Sequence, residues 1–385
     1  MRPDLSIESE APMRYTSLAV VSSRVTVGAP LPFNVYNDDH TLLLARGRRL
    51  DSDAQWQALL QRGTLVDLAE LHRGADAVRH APAALLPAMW TDGMDRVARA
   101  LRQTNAETFR EALDEAIEPV AALIDRDPDL AIFQVLRQDA SAHVQYGANH
   151  AVHTAIVTRL VALRLGWSED DTTRAFKAAL TMNVSMLDLQ GRLAEQGRPP
   201  TEQQRAEIRE HPQASRELLE MAGINDQLWL RAVEEHHEEP DGRGYPHGIT
   251  DVCEMATLLH RADIYSAKLS VRGGREAMAA DRAGREIFMS DPSSPINAAL
   301  VKELGVYPPG CFVSLASGET GIVVKRGPTV MAPVVAAMTN RYGEVHPEPV
   351  RRDTSQPMHA IVGVLAARSV KVRVAPEALA TMSAV

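Results

Sequence analysis

A long run of helical periodicity, from about residue 92 to residue 290, most constrains how this chain can fold. Apolar residues recur there every three to four positions, and single glycines such as Gly166, Gly223 and Gly242 separate the periodic stretches. Amphipathic helices must bury their apolar faces against one another, so the pattern predicts an all-helical domain. The 385 residues leave room for further small modules on either side.

The regions on either side predict small modules that contain strands. The stretch PFNVYNDDHTLLLARG predicts two short strands around a polar turn, followed by a helix that begins at Asp51 or Ser52 and ends at Gly63. Beyond Pro292, the β-branched runs FVSL and TGIVV indicate a β-rich module. We therefore predict a tail at 1–14, an α+β module at 15–79, a linker at 80–91, a mainly α domain at 92–300 and a β-rich module at 301–385.

Charge and cysteine content narrow the functional classes. A net charge of −9 argues against nucleic acid or an anionic membrane as the main partner, although local arginines can still hold a small anion. Cys253 and Cys311 are too few for a disulfide framework. The N-terminus carries no apolar leader, and no run approaches the ~18 apolar residues of a membrane helix. These features predict a cytoplasmic protein without membrane insertion.

Two adjacent histidines, His236 and His237, fall on the last turn of a predicted helix whose cap is Asn225. They stand ahead of the loop HHEEPDGRGYP, which contains an acidic pair and two glycines. An isolated pair is most simply explained by the helix C-terminus, which favours imidazolium by ~0.3–1 kcal/mol. Other histidine-bearing segments weaken that explanation.

Those segments make a metal site plausible. His211 stands directly before Pro212, which predicts that a helix begins at the proline. Asp263 lies among apolar residues, where an unpaired carboxylate is costly. Imidazole and carboxylate groups are common ligands of catalytic metals, but the spacing alone does not assign the site. The helix NHAVHTAIVTRLVALRLG adds His150 and His153.

The string HHE…DGRGYPHG resembles the signature of the HD-GYP domain, a subgroup of the helical HD phosphohydrolases. The resemblance covers about residues 140–290, and KELGVYPPG is similar to the family's usual exit from the domain. Members of the family use two or three metal ions to hydrolyse the bacterial second messenger cyclic di-GMP. The resemblance therefore implies an HD-type helical fold and a role in bacterial signalling.

The resemblance also implies functional residues. The distance from His150 to Gly166 matches the family's first ligand, whereas periodicity alone would select His153. The GYP loop is thought to contact diguanylate-cyclase (GGDEF) domains in this family. The implied metal ligands are His150, His211, His236, His237 and Asp263, and the implied ligand-binding residues are Arg272, Arg275, Gly244, Tyr245 and Pro246.

The chain departs from the family at its defining dyad. Where the family has HDxGK, this sequence has MNVSM, so that Met182 replaces the histidine ligand and Asn183 the bridging aspartate. An amide cannot neutralise two dications, and a thioether is a poor ligand for hard or borderline metals. We therefore expect no binuclear centre, although three histidines can still hold one Zn, Fe or Mn ion. Ser266 and the Gly273–Gly274 pair also depart from the family's pattern.

Three hypotheses follow from this pattern. The first is a catalytically degenerate HD-GYP-like protein that binds cyclic di-GMP, a GGDEF-domain partner or a second copy of itself. The second is a metal-dependent cyclic di-GMP phosphodiesterase with residual activity. The third is a structural scaffold with a vestigial site. The first is favoured because both positions of the dyad are lost, which removes charge stabilisation from any transition state.

Overall fold

The computed structural model describes residues 15–31, 33–67, 74–104, 108–137, 145–271 and 276–372, together with residues 379 and 382. The chain divides into two compact units, Met1–His80 and Ala81–Val385. The predicted tail, residues 1–14, lies outside the described residues. Among the described helices, none is both long enough and apolar enough to cross a membrane.

The first unit is a small α+β module. Its antiparallel sheet has the order β1-β4-β2-β3 and packs on a core that includes Phe33, Val35 and Leu50. Ser52, one of the two predicted caps, accepts a hydrogen bond from the Gln55 amide at 3.3 Å. The elements are β1 (Tyr15–Ser17), β2 (Val35–Tyr36), β3 (Leu42–Leu44), α1 (Asp53–Gln61), β4 (Leu65–Asp67) and α2 (Ala75–His80).

Helices fill the first two-thirds of the second unit, which confirms the predicted mainly α middle of the chain. The helices are α3 (Leu86–Leu101), α4 (Phe109–Arg126), α5 (Pro128–Leu136), α6 (Tyr146–Leu165), α7 (Glu169–Thr181), α8 (Leu187–Glu195), α9 (Glu202–Met221), α10 (Gln227–Glu235), α11 (Glu254–Leu269), α12 (Ala280–Ser290) and α13 (Pro295–Leu304).

Local signals in the sequence set several helix ends. Thr201 begins α9 with a capping box, in which its hydroxyl accepts from the Gln204 amide and the Gln204 side chain accepts from the Thr201 amide. Gly166 ends α6 in the left-handed region, with φ of 78°. Ser168 then caps α7 by accepting from the Asp171 amide at 3.1 Å.

Helix α6 lies at the centre of the helical packing. It contacts α3, α5, α7, α8, α11 and α13, and nearly all of its side chains are buried. A helix that is apolar on every side is stable only when neighbours surround it. This central position carries His150 into the interior, opposite α11.

The helical part begins earlier than the sequence predicted. Residues 83–85 form a 3-10 turn, α3 starts at Leu86, and Trp90 within it is fully buried. Residues 86–91 are therefore helical rather than part of a linker at 80–91. The Ala- and Pro-rich sequence suggested a linker, but Pro87 stands in the first turn of α3, where a proline is tolerated.

The C-terminal part contains a five-stranded antiparallel sheet with the order β8-β7-β6-β5-β9. Its core includes Phe312, Ile322 and Met338, and Phe133 of α5 packs against it. The predicted β-rich module is therefore confirmed, and it belongs to the same compact unit as the helices. The strands are β5 (Phe312–Leu315), β6 (Thr320–Lys325), β7 (Val334–Thr339), β8 (Val345–Asp353) and β9 (Ile361–Leu365).

A partly buried ion network joins this sheet to the helices. Arg326, directly after β6, donates through Nε to the Asp129 carboxylate at 2.6 Å and also pairs with the Glu303 carboxylate. Arg164, near the end of α6, pairs with the same Glu303. Two carboxylates from two helices are thus neutralised by two arginines, one of which comes from the sheet.

We expect Arg326→Ala to lower the free energy of unfolding by about 3 kcal/mol, because it leaves Asp129 and Glu303 partly buried without their shared cation. Urea unfolding followed by circular dichroism measures the change. Lys325→Ala is the matched control, since Lys325 makes no ion pair with any residue that the structure describes. Equal stability of the two variants would contradict the assigned role of Arg326.

Candidate metal and ligand site

Helix α9 carries His211 in its interior, next to Pro212. The prediction that a helix begins at Pro212 is wrong, because α9 runs through the proline. Proline has no backbone N–H, so the carbonyl four residues earlier, that of Ile208, loses its helical donor. His211 Nδ1 lies 2.6 Å from this Ile208 oxygen. Since a carbonyl can only accept, Nδ1 carries the proton and Nε2 keeps a free lone pair.

His236 and His237 follow α10, whose cap is Asp226 rather than the predicted Asn225. The Asp226 carboxylate accepts from the amides of Leu228 and Trp229, both at 3.1 Å. His236 Nδ1 lies 2.6 Å from the Val233 carbonyl, one of the carbonyls that a helix end leaves without a partner. The proton of His236 is therefore on Nδ1 as well.

His260 of α11 completes this arrangement, and the sequence analysis missed it. Its Nδ1 lies 2.8 Å from the carbonyl oxygen of His236, which ties α11 to the end of α10. The His260 ring lies edge-on to His237, with 5.8 Å between the ring centroids. Nothing in the sequence marked His260, three residues before Asp263, as part of the site, because lone histidines on apolar helices are common in protein cores.

The three histidines His211, His236 and His237 converge, as the sequence predicted. Their ligand atoms all lie within 4.8 Å of one another, and His211 Nε2 is 3.1 Å from His236 Nε2. Two nitrogens bound tetrahedrally to one zinc ion lie about 3.3 Å apart, from Zn–N distances of about 2.0–2.1 Å. Within the described part of the chain, this is the one group of three His, Cys, Asp or Glu side chains that approach so closely.

Burial keeps these imidazoles neutral. It lowers the pKa of His211 to about 4 and that of His236 to about 3, and it lowers the pKa of His237 well below its usual value. Two lone pairs that face each other at 3.1 Å repel unless a cation lies between them, and a proton is disfavoured here. Neutral imidazole nitrogens with their other N–H groups fixed to carbonyls are typical metal donors. The residues present therefore fit a divalent metal ion.

His150 and Asp263 form a separate pair on the facing helices α6 and α11. His150 Nε2 lies 2.6 Å from Asp263 Oδ1, and the His150 side chain is buried. Burial raises the pKa of Asp263, but the hydrogen bond to His150 outweighs this effect, so its pKa lies below the usual range. The structure brings His150 to Asp263, while His153 is buried and its Nδ1 has no hydrogen-bond partner among the described residues.

Met182 and Asn183, which the sequence analysis aligned with the family's dyad, lie directly after α7. Both are buried, and Asn183 Oδ1 has no hydrogen-bond partner within the described residues. The turn that follows is fixed by hydroxyl groups: Ser185 Oγ donates to the His211 carbonyl at 3.1 Å and lies 2.8 Å from Ser215 Oγ. This segment therefore stays next to α9 without supplying a carboxylate.

The loop after His237 folds back on the end of α10. Glu238 is buried, and its carboxylate accepts from the amides of His247, Gly248 and Ile249 at 2.6, 3.1 and 3.1 Å. A Cβ atom at Gly244 would lie 2.4 Å from Glu238 Cα, so this position requires glycine. The Glu238 carboxylate, next to the histidine pair, therefore binds the backbone of the loop rather than the histidine cluster.

Arg272 and Arg275, the predicted phosphate or guanine contacts, lie outside the described residues. Of the three predicted loop residues, Gly244, Tyr245 and Pro246, the first approaches the backbone of His237 and Glu238 closely. Tyr245 stacks on His237 with 4.5 Å between ring centroids. Their role as ligand contacts stays a prediction.

Comparison with known proteins finds the family model described as "HD domain" over residues 134–288. A Pseudomonas aeruginosa protein named cyclic di-GMP phosphodiesterase PA4108 is 26% identical over 334 residues, which cover 77% of this chain and 79% of the relative. A Vibrio cholerae protein named 3'3'-cGAMP-specific phosphodiesterase 3 is 28% identical over 140 residues, or 36% of this chain and 30% of that relative. This chain thus spans less than a third of the second relative.

Among solved structures, Bd1817, described as a HDG"Y"P protein from Bdellovibrio bacteriovorus, covers 74% of this chain and 97% of its own. The sequence identity is 14% and the TM-score is 0.49.

We expect zinc to stabilise metal-free protein through the three histidines, because a ligand that binds only the folded state at 100 times its Kd adds about 2.7 kcal/mol. Thermal denaturation with and without zinc, together with elemental analysis, measures this effect. His236→Ala removes one donor and should abolish the shift. His346→Ala, which changes a histidine of the C-terminal sheet, should retain it. A zinc-induced shift that survives His236→Ala would place the metal elsewhere.

Proposed function

We propose that this chain, which matches an HD domain over residues 134–288, binds cyclic di-GMP with little or no hydrolysis. One observation carries the proposal. The three histidines converge, with free Nε2 lone pairs on His211 and His236, whereas the buried Met182 and Asn183, aligned with the family's dyad, offer no charged donor. A binding site is retained and its bridging charge is absent.

The loss of hydrolysis follows from the chemistry of the bridge. In a two-metal phosphodiesterase, a bridging carboxylate holds both ions close together and helps to orient the attacking hydroxide. The Asn183 amide is neutral, and the Met182 thioether is a poor donor for hard or borderline metals. His150 and Asp263 then hydrogen-bond to each other and gain no third donor among the described residues. Within the part of the chain that the structure describes, a second ion has no adequate site.

One divalent metal ion, Zn, Fe or Mn, fits the remaining donors. His211, His236 and His237 would hold it, and three donors leave a position for a water molecule or a phosphate oxygen. When bound, such an ion supplies a Lewis acid that polarises a phosphoryl oxygen. The fixed Nδ1–H groups of His211 and His236 keep their Nε2 atoms available as donors.

Arginine side chains support a nucleotide ligand. Arg272 and Arg275 are three residues apart, and guanidinium groups can pair bidentately with a phosphate or a guanine edge. The relatives whose names specify a substrate act on cyclic dinucleotides. A site that binds without hydrolysis suits a receptor, because the signal lasts until the ligand dissociates.

The alternatives predict different measurements. Residual one-metal phosphodiesterase activity is favoured by the open donor position at the three histidines. A signalling scaffold would bind a GGDEF-domain partner or a second copy of the chain, with or without the nucleotide. A purely structural role predicts neither metal nor nucleotide binding.

We expect wild-type protein to hold one metal ion and to hydrolyse cyclic di-GMP negligibly with added manganese or iron. Met182→His combined with Asn183→Asp restores the family's dyad and should raise the metal content towards two ions per chain. Met182→Leu with Asn183→Ala, which adds no donor, is the matched control. Elemental analysis and chromatographic detection of the product measure both effects. Robust wild-type turnover that His211→Ala abolishes would show that the enzyme is active.

We also expect Arg272→Ala to weaken cyclic di-GMP binding at least tenfold, or ~1.4 kcal/mol, measured by calorimetry. Arg282→Ala is the control, because Arg282 is exposed and pairs only with Glu286 among the described residues. If folded wild-type protein binds no nucleotide at high concentration, the receptor proposal fails and a protein partner becomes the better explanation.

A further inference from the structure

His237 differs from the other two histidines of the cluster in how its ring is held. The rings of His211 and His236 are each fixed by an Nδ1–H group that donates to a backbone carbonyl. No described residue makes a hydrogen bond with either ring nitrogen of His237. Its half-buried imidazole therefore needs another contact to set its rotation.

Tyr245 provides that contact. Its ring stacks on His237 with 4.5 Å between centroids and 21° between the planes. The Tyr245 amide also donates to the His237 carbonyl at 3.1 Å, so backbone and side chain both contact the same histidine. The His237 ring also contacts the cluster, because His236 lies 4.2 Å away between centroids. The imidazole therefore touches both a tyrosine and its fellow donors.

The loop cannot easily carry Tyr245 away from this position. Glu238 accepts three backbone N–H groups from the loop, and the close approach at Gly244 excludes a side chain there. Glu235 accepts from the Cys253 amide at 2.8 Å, which fixes the far end of the loop. A ring on such a constrained backbone is suited to hold a neighbour in one orientation.

We propose that Tyr245 is a positioning residue that orients the His237 imidazole towards the other two donors, and that it is not a contact for a partner protein. This inference rests on the proposed metal-holding role of the cluster. The stacked face, rather than the hydroxyl group, carries the effect, so phenylalanine should replace tyrosine and alanine should not. Residues that orient metal ligands typically change metal affinity 10- to 100-fold when they are removed.

Cobalt binding, followed by its visible absorption, and competition with zinc test this role in the full-length protein. We expect Tyr245→Ala to weaken cobalt binding at least tenfold and Tyr245→Phe to remain within about twofold of wild type. Arg243→Ala is the matched control, because Arg243 is in the same loop, is 84% exposed and pairs only with Asp241 among the described residues. Circular dichroism confirms that each variant is folded.

A second measurement separates this inference from the metal proposal. In metal-free protein labelled at histidine Cε1, the stacked tyrosine shifts the His237 ring proton by its ring current, and His237→Ala assigns the signal. Tyr245→Ala should move that signal, whereas Tyr245→Phe and Arg243→Ala should leave it nearly unchanged.

The two measurements give distinct outcomes. If wild-type protein binds neither cobalt nor zinc, the metal proposal fails, and with it the positioning role, while the proton signal still reports whether Tyr245 stacks on His237. If wild type binds metal and Tyr245→Ala binds it equally well, or if the proton signal does not move, the positioning role is overturned. If Tyr245→Phe loses as much affinity as Tyr245→Ala, the hydroxyl group is required and stacking is not the cause.

Discussion

This domain depends on one close contact between two imidazole nitrogens. His211 Nε2 and His236 Nε2 lie 3.1 Å apart, and each has its lone pair directed at the other. Backbone carbonyls hold the protons on the opposite sides of the two rings, which leaves both Nε2 lone pairs available to one cation. Those carbonyls are free because one helix contains a proline and another has just ended. Backbone geometry on two separate helices thus determines the protonation pattern of the cluster.

The two halves of the predicted site differ in their contacts. The half with His211, His236 and His237 keeps three neutral donors and a loop that closes over them. In the other half, the His150–Asp263 hydrogen bond pairs the two side chains with each other. This asymmetry is the basis of the proposed function, since holding a phosphate requires local positive charge whereas cleaving it requires charge on both sides of the transferred group.

Periodicity and glycine stops predicted the helical middle, and β-branched runs predicted the C-terminal sheet, because both signals reflect local geometry. The convergence of the three histidines was predictable only through the family resemblance, since His211 lies on a different helix, 25 residues before His236. The helix start at Pro212 was wrong because tertiary packing carries α9 through the proline. His260 and Glu238 were missed because their roles depend on carbonyl and amide groups that only the folded chain brings near them.

Pro212 has a consequence for how this protein tolerates change. The proline affects the cluster through a hydrogen bond that it does not make, since its missing N–H leaves the Ile208 carbonyl to His211. A replacement at position 212 with an ordinary residue would improve the helix and at the same time offer that carbonyl a competing donor. At this position, a substitution that favours the helix therefore disturbs the histidine cluster. Measurements of folding stability alone would identify the proline as a defect.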